Sequence, residues 1–173
     1  LYTNGYEIGN SLCEKDINTD YVDVFNHGNK DKIIMPQDVV CATGSSMDNY
    51  QTKDISMVQL DDKILDVGIE SVKKYTQIIN DCSTVFWNGP LGFVEKNPYD
   101  AGTKAIIKLL AESECYSMIG GGDTVSVVEK MKLEDKISYI STGGGALLKY
   151  IEGKNMPVLE KLGLKKSWEK EQK

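Results

Sequence analysis

Triple glycines occur at residues 120–122 and 143–145, and each follows an apolar segment and precedes a helix-like pattern. Glycine adopts backbone conformations closed to other residues and leaves its N–H groups uncovered. A helix start adds unpaired N–H donors and a partial positive charge of about +0.5. A single such turn is more often tight packing between a strand and a helix. Two turns on successive strands would lie together at the carboxyl edge of a parallel sheet, which favours a phosphate-binding site.

Asp123 follows the first triple glycine directly, in the segment "IGGGDT". One interpretation is an N-cap, which any helix can use. The other is a ligand for Mg²⁺, because a carboxylate beside bound phosphates repels them unless a cation lies between. The segment matches neither the G-x-x-x-x-G-K-[ST] loop nor G-x-G-x-x-G, since Val125 takes the place of the last glycine.

The segment "FWNGPLGFVE" (86–95) concentrates Asn, Gly and Pro immediately after an apolar run. It is either a complicated turn or a shaped loop at the same sheet edge as the glycine turns. In the second case Asn88 offers an amide and Glu95 offers a carboxylate to a sugar hydroxyl.

The elements that must position these residues alternate between strands and helices. Short apolar, β-branched runs predict buried strands at 32–35, 38–42, 84–88, 115–120 and 137–141. Amphipathic patterns predict helices at 66–80, 100–113, 123–132 and 145–153, with a further helix at 16–28 and a polar loop at 43–54. This order predicts an α/β fold of three layers, with one mostly parallel sheet and helices on both faces.

Composition narrows the possible functions. The net charge of -6 argues against a nucleic-acid-binding protein. The single histidine, His27, argues against a histidine-dependent triad or a histidine-rich metal site. The four cysteines are far apart, which predicts buried thiols in a reducing compartment. We expect no membrane span and no secretion signal. All 20 basic residues are lysine, so any phosphate chemistry here must use backbone N–H groups, lysine and metal.

The quoted motifs, taken together and in order, resemble phosphoglycerate kinase. The segments "VFWNGPLGFVE", "AGTKAI", "IGGGDT", "DKISYISTGGGALL" and "IEGKNMP" are similar to that family's nucleotide-binding, C-terminal portion. The resemblance covers residues 1–163, and residues 164–173 are a charged tail. It implies a Rossmann-like C-terminal domain that is incomplete here, because the N-terminal substrate domain and the first half of the nucleotide-binding domain are absent. Ile64 stands where the family usually has glycine, and Phe93 and Val94 are exchanged relative to the family pattern.

The resemblance also implies a role for individual residues. Leu12 caps the adenine, Glu95 bonds the ribose hydroxyls and Asp123 holds the metal. The other implied nucleotide contacts are Asn88, Pro90 and Phe93 on the ribose and phosphate side, Gly121, Gly122 and Thr124 at the phosphates, and Ser141, Thr142, Gly143, Gly144 and Gly145 in the second turn. The backbone N–H groups of Gly122 and Gly144 are expected to face the transferred phosphoryl group.

The activity implied is phosphoryl transfer between 1,3-bisphosphoglycerate and ADP, giving 3-phosphoglycerate and ATP, with Mg²⁺ bound to the nucleotide. The glycerate binds through the absent N-terminal domain, so the chain alone is expected to be inactive. The resemblance further implies a cytoplasmic, monomeric full-length protein in glycolysis, with no nucleic-acid or membrane partner. The alternative is a diverged, non-catalytic module that keeps the fold and binds a nucleotide.

Overall fold

A computed structural model describes residues 1–13, 32–44 and 46–163, and the strands in these ranges form two three-stranded sheets. One sheet is antiparallel with the order β2-β1-β3, and the other is parallel with the order β4-β5-β6. The strands are β1 Asp38–Thr43, β2 Tyr50–Asp54, β3 Asp62–Val67, β4 Thr84–Asn88, β5 Tyr116–Gly120 and β6 Tyr139–Ser141.

Helices flank the parallel sheet and connect its strands. They are α1 Ile69–Asn80, α2 Ala101–Glu112, α3 Gly122–Met131, α4 Gly144–Ile151 and the short α5 Pro157–Lys161. Short 3₁₀ helices occur at Tyr2–Asn4, Ile55–Met57 and Glu134–Lys136. The α/β class and the parallel sheet with flanking helices are therefore confirmed, and α1 to α4 begin and end within three residues of their predicted positions. No helix in the described ranges has the length and apolar composition needed to cross a bilayer.

The main core lies between one face of the parallel sheet and the helices α1 to α3. Ile107 of α2, Ile119 of β5 and Val128 of α3 are completely buried in it. Register places Trp87, Ile119 and Ile140 side by side on this face, because directly paired residues of parallel strands point the same way.

The opposite face of the parallel sheet is more exposed. It carries three aromatic side chains, Phe86, Tyr116 and Tyr139, which are 39%, 51% and 46% exposed. Along each strand these side chains alternate with the core-facing ones, as the two-residue period of a strand requires.

The prediction of a single sheet is wrong for the first part of the chain. Residues 33–36 form no strand, and β1 pairs antiparallel with β2 and β3 instead of joining the parallel sheet. The predicted polar loop at 43–54 contains β2, whose sequence "YQTKD" is almost entirely exposed. An exposed edge strand gains little from apolar side chains, so its sequence carries no hydrophobic alternation.

Buried aspartates anchor the antiparallel sheet to its surroundings. Asp38 accepts hydrogen bonds from the N–H groups of Glu70 and Ser71 and so caps α1. Asp62 pairs with Lys53 at 2.6 Å, with Asp62 completely buried. The Asp38 contacts fix β1 against α1, whereas the Asp62 pair joins β3 to β2 within the antiparallel sheet.

The cysteines are less buried than the sequence predicted, because Cys41 alone is buried and the other three are half-buried. Burial, followed by the nearby charge of Asp62, raises the pKa of the Cys41 thiol to about 11, so it stays protonated. The predicted helix at 16–28, His27 and the charged tail at 164–173 lie outside the described residues.

Candidate functional site

The carboxyl ends of the three parallel strands align at one edge of the sheet. Asn88 pairs with Gly120, and Gly120 pairs with Ser141, so the ends of β4, β5 and β6 stand side by side. Each strand then enters one of the segments that the sequence analysis singled out. The parallel register therefore brings the loop after β4 and both glycine turns together.

The first glycine turn bends sharply at Gly121. Its φ is 90°, a left-handed conformation that is strained for residues with a side chain. Helix α3 begins at the next residue, Gly122, and a Cβ placed there would meet no heavy atom within 4 Å. Gly122 therefore faces open space at the positive end of a helix dipole.

The second glycine turn packs directly against the first. A Cβ placed on Gly144 would lie 2.6 Å from the Gly121 nitrogen and 2.7 Å from the Asn88 side-chain oxygen. No side chain fits there, so Gly144 is required by close packing. Gly145, by contrast, has no such neighbour within 4 Å and is exposed.

Two buried polar atoms at this edge lack a hydrogen-bond partner within the described part of the chain. They are Asn88 Oδ1, which lies over Gly120 and Gly144, and Thr124 Oγ1 in the first turn of α3. Buried polar atoms in native proteins nearly always have a partner. A bound ligand or water that donates hydrogen bonds would supply one here.

Asp123 lies in the first turn of α3 and is exposed. No ion pair or hydrogen bond involves its carboxylate among the residues that the structure describes, so the N-cap interpretation has no hydrogen bond to support it. The same ranges contain no cluster of three or more potential metal ligands. One free carboxylate suits Mg²⁺ that takes its other ligands from phosphate oxygens and water, which is how proteins usually hold Mg²⁺ with nucleotides.

A largely apolar cavity of about 840 Å³ lies between β3, the first residues of the chain and the loop that follows β4. Three predicted site residues line it together, namely Leu12, Pro90 and Phe93. The Leu12 side chain is 97% exposed at this cavity, and Phe93 is 39% exposed. A cavity with this lining suits a flat, largely apolar ring system.

The loop at 89–93 connects the cavity to the glycine turns. Gly89 approaches Gly121, since a Cβ on Gly121 would lie 3.3 Å from the Gly89 nitrogen. At the other end, the Phe93 N–H donates to the Leu65 carbonyl at 2.8 Å and ties the loop to β3. The loop is thus a shaped connection between both parts of the site, as one of the two sequence interpretations predicted.

The structure brings most predicted site residues to one edge. Asn88, Gly121, Gly122, Asp123, Thr124, Ser141, Thr142, Gly143, Gly144 and Gly145 gather at the ends of the parallel strands. Glu95 is exposed and does not line the cavity. The individual contacts expected of these residues with a nucleotide stay predictions.

The cavity wall contains Ile64, which the family resemblance places where a glycine is usual, and several residues that no sequence motif indicated. Leu65 of β3 lines it, together with Met47, whose carbonyl accepts a hydrogen bond from the buried Tyr99 hydroxyl. Asp66 lines it too, although its side chain is almost completely buried. The sequence signal was an aspartate inside the apolar run "ILDV", which is unusual in a buried strand.

This arrangement defines an α/β protein with paired glycine-rich turns at the carboxyl edge of a parallel sheet. The family model for phosphoglycerate kinase matches residues 1–154. The chain therefore belongs to the phosphoglycerate kinase family.

Curated and solved relatives agree with this assignment. The chain is 39% identical over 164 residues to the phosphoglycerate kinase of Francisella tularensis subsp. novicida (strain U112), covering 92% of this chain and 42% of that protein. It superimposes on the solved structure of phosphoglycerate kinase from Coxiella burnetii with a TM-score of 0.82 at 36% identity. For the crystal structure of the Pyrococcus horikoshii OT3 enzyme the TM-score is 0.76 at 25% identity. The chain covers 92% and 94% of its own length in these two matches, and 42% of each solved chain.

Proposed function

We propose that residues 1–163 are the C-terminal part of the nucleotide-binding domain of a phosphoglycerate kinase and bind Mg·ADP or Mg·ATP. The observation that carries this proposal is the pair of adjacent turns in which Gly122 and Gly145 face open space at two helix starts. Backbone N–H groups at such positions bind phosphate oxygens. The largely apolar cavity, which the loop at 89–93 connects to these turns, offers room for the nucleoside.

In this proposal Asp123 and the nucleotide phosphates jointly bind Mg²⁺, and the bound ion neutralises phosphate charge. Asn88 and Thr124, whose buried side-chain oxygens lack a partner at the same edge, supply polar contacts. Leu12, Pro90 and Phe93 enclose the base and sugar. Each of these assignments combines the family resemblance with a position at the described site.

For the whole protein we propose transfer of a phosphoryl group from 1,3-bisphosphoglycerate to ADP. The bond between phosphorus and the acyl oxygen breaks while a bond forms to a β-phosphate oxygen of ADP, giving 3-phosphoglycerate and ATP. The N–H groups of Gly122 and Gly144 stabilise the charge on the group in transfer. The proposal extends to a monomeric enzyme acting in cytoplasmic glycolysis.

Calorimetric titration with ADP, with and without Mg²⁺, tests the proposal directly. We expect weak binding that strengthens when Mg²⁺ is present, and we expect Asp123→Asn to remove that metal dependence. Asparagine keeps the size and the hydrogen-bonding ability of the side chain but loses the charge that holds Mg²⁺. Equal binding of Mg·ADP by the two proteins would remove Asp123 from the metal site, and no binding at all would refute the proposal.

The 173-residue chain by itself should not turn over substrate. It has no arginine, and residues 88–93, 120–126 and 141–148 contain no lysine either. A charge-stabilising arginine contributes about 10³ to 10⁵ in the rate of phosphoryl transfer, and alignment of donor and acceptor contributes roughly 7–11 kcal/mol in favourable cases. A coupled assay with 1,3-bisphosphoglycerate and Mg·ADP should stay at background. Turnover like that of an intact kinase would show that backbone N–H groups and lysine suffice.

The second candidate is a diverged module that binds a nucleotide without catalysis. Ile64 favours it, because this branched side chain lines the cavity where the family usually has glycine. Ile64→Gly separates the two candidates when ADP affinity is measured. A large gain in affinity would indicate that the native cavity is partly closed to the base, whereas an unchanged affinity supports the kinase proposal.

A further inference from the structure

Asp66 is an unusual residue for its position. It lies near the end of β3 with its side chain 1% exposed, and it faces the segment that links the parallel strand β4 to helix α2. No cation pairs with it among the described residues. Asp62 on the same strand is equally buried, but it pairs with Lys53 at 2.6 Å.

The Asp66 carboxylate accepts hydrogen bonds from two different elements. One oxygen accepts from the Val67 N–H at 2.8 Å, and the other accepts from the Gly102 N–H at the start of α2, also at 2.8 Å. Both donors are fixed backbone groups, and the helix start adds its partial positive charge. The carboxylate thus joins β3 to α2.

The loop at 89–93 closes over this carboxylate. A Cβ placed on Gly92 would lie 2.5 Å from an Asp66 oxygen and 2.3 Å from the Tyr99 carbonyl. The next residue, Phe93, donates to the Leu65 carbonyl, and Leu91 donates to the buried Thr103 hydroxyl of α2. Leu91 therefore contacts α2, Gly92 contacts Asp66, and Phe93 contacts β3.

These contacts place Asp66 in the cavity wall, beneath the 89–93 loop. Pro90, Leu91 and Phe93 line the cavity on the side that the nucleoside would occupy, and their backbone is held by the elements that Asp66 joins. We propose that Asp66 is a positioning residue, whose two carboxylate oxygens hold the 89–93 loop in the shape of the nucleoside-binding wall. The link to nucleotide affinity rests on the proposed function, whereas the effect on the loop does not.

The charge of Asp66 carries a cost in stability. Burial raises its pKa to about 6, against the lowering effect of the Gly102 and Val67 N–H groups, and Asp100 raises it further. Asp100 itself pairs with Lys104 at 2.6 Å. The other neighbours of Asp66 add no charge, because its partner on β1 is Val40 and the 89–93 loop has no titratable side chain. Tyr99, whose own pKa burial raises, directs its hydroxyl to Met47.

The sign of the pH effect follows from this pKa. A folded-state pKa above the usual value of 3.8 means that the favourable contribution of Asp66 is full below about pH 4. It is lost as the pH rises through about 6. Above that pH the chain keeps a buried charge that lowers its stability, which is common for residues selected for a site rather than for the fold.

Asp66→Asn tests the proposal in the ligand-free 173-residue chain at pH 8. We expect hydrogen exchange at the amides of Leu91, Phe93 and Gly102 to accelerate about tenfold or more, while the core amide of Ile119 is unchanged or better protected. Overall thermal stability should stay equal or rise. Unchanged exchange at the three loop amides would overturn the proposal, as would a uniform loss of protection that follows a fall in global stability.

The wild type provides a second test without a mutation. Between pH 8 and pH 5, exchange at Leu91, Phe93 and Gly102, corrected for the intrinsic effect of pH, should slow with a midpoint near 6, because opening the loop hydrates a carboxylate whose burial costs less when it is protonated. This series decides the question even when Asp66→Asn does not fold, and a flat profile would overturn the proposal. Asp62→Asn is the matched control, because it removes a buried carboxylate from the same strand and should destabilise the fold at its ion pair with Lys53.

Mg·ADP affinity is the second readout. We expect Asp66→Asn to weaken binding about tenfold at pH 8. If the wild type binds Mg·ADP and the variant binds it equally well, Asp66 does not position the wall. If the wild type does not bind Mg·ADP, the proposed function fails, and the exchange measurements still decide whether Asp66 holds the loop.

Discussion

The two glycine turns share a sequence pattern but are held in place differently. In the first turn Gly121 adopts a φ of 90°, and the helix behind it buries four residues: Thr124, Val125, Val127 and Val128. In the second turn no glycine has a positive φ, and helix α4 buries Gly144 alone. The first turn is therefore anchored by its helix in the core. The second is anchored by its contact with the first.

This difference separates the roles of glycines that look equivalent in the sequence. In each turn one glycine is required by backbone geometry or packing, namely Gly121 and Gly144. Another glycine in each turn, Gly122 or Gly145, meets nothing within 4 Å and is available to a ligand. Substitutions at these positions should consequently divide into those that damage the fold and those that damage binding.

Gly144→Ala should have the largest effect. The new methyl group would lie 2.6 Å from the Gly121 nitrogen and 2.8 Å from its Cα, and backbone atoms cannot move aside cheaply. We expect a loss of about 3 kcal/mol in unfolding free energy, measured by urea denaturation. The matched control is Gly145→Ala, which should be neutral or stabilise the helix by up to about 1 kcal/mol. Equal effects of the two changes would abolish the distinction between packed and open glycines.

The unequal anchoring of the two helices predicts a second pair of effects. Val128 of α3 is completely buried, whereas Leu148 of α4 is 36% exposed. Val128→Ala should cost about 2 kcal/mol in unfolding free energy, because it leaves a cavity in the core. Leu148→Ala should cost no more than about 0.5 kcal/mol. A larger loss for Leu148→Ala would mean that α4 is anchored by more than its glycine contact.

Gly122→Ala should have the smallest effect on stability and a clear effect on binding. The methyl group meets open space at the first residue of α3, so unfolding free energy should change by no more than about 0.5 kcal/mol. It would enter the space assigned to phosphate and should weaken Mg·ADP binding about tenfold. Calorimetry on Gly122→Ala, with Leu148→Ala as a surface control, measures both the stability and the Mg·ADP affinity. Unchanged affinity would remove Gly122 from the site.

Periodicity predicted the helices well, because α1 to α3 each pack one stripe against the core, and α4 has a similar pattern although it buries Gly144 alone. The glycine turns and their meeting at one sheet edge were also predictable, since parallel strands place their carboxyl ends together. The antiparallel sheet was not. Its edge strand β2 is polar and exposed, and its pairing with β1 depends on tertiary contacts that leave no local pattern.

Two features of the site lay beyond any pattern in the sequence. The contact between Gly144 and Gly121 joins turns from two different strands, and it depends on the exact approach of α4 to β5. The burial of Asp66 depends on Gly92 and Gly102, which lie on later elements and leave room for its carboxylate. Both follow from three-dimensional packing, and the sequence contained only the glycines that make them possible.

Amide NMR during titration with Mg·ADP tests the central claim most directly. If the open turns bind the phosphates, the largest shifts should occur at the backbone amides of Gly122, Asp123, Gly144 and Gly145, with smaller ones at Phe93 beside the cavity. The amide of Ile119 in the core of the parallel sheet should stay in place. Shifts confined to the cavity, or no shifts at millimolar Mg·ADP, would contradict the account that the paired glycine turns form a phosphate site.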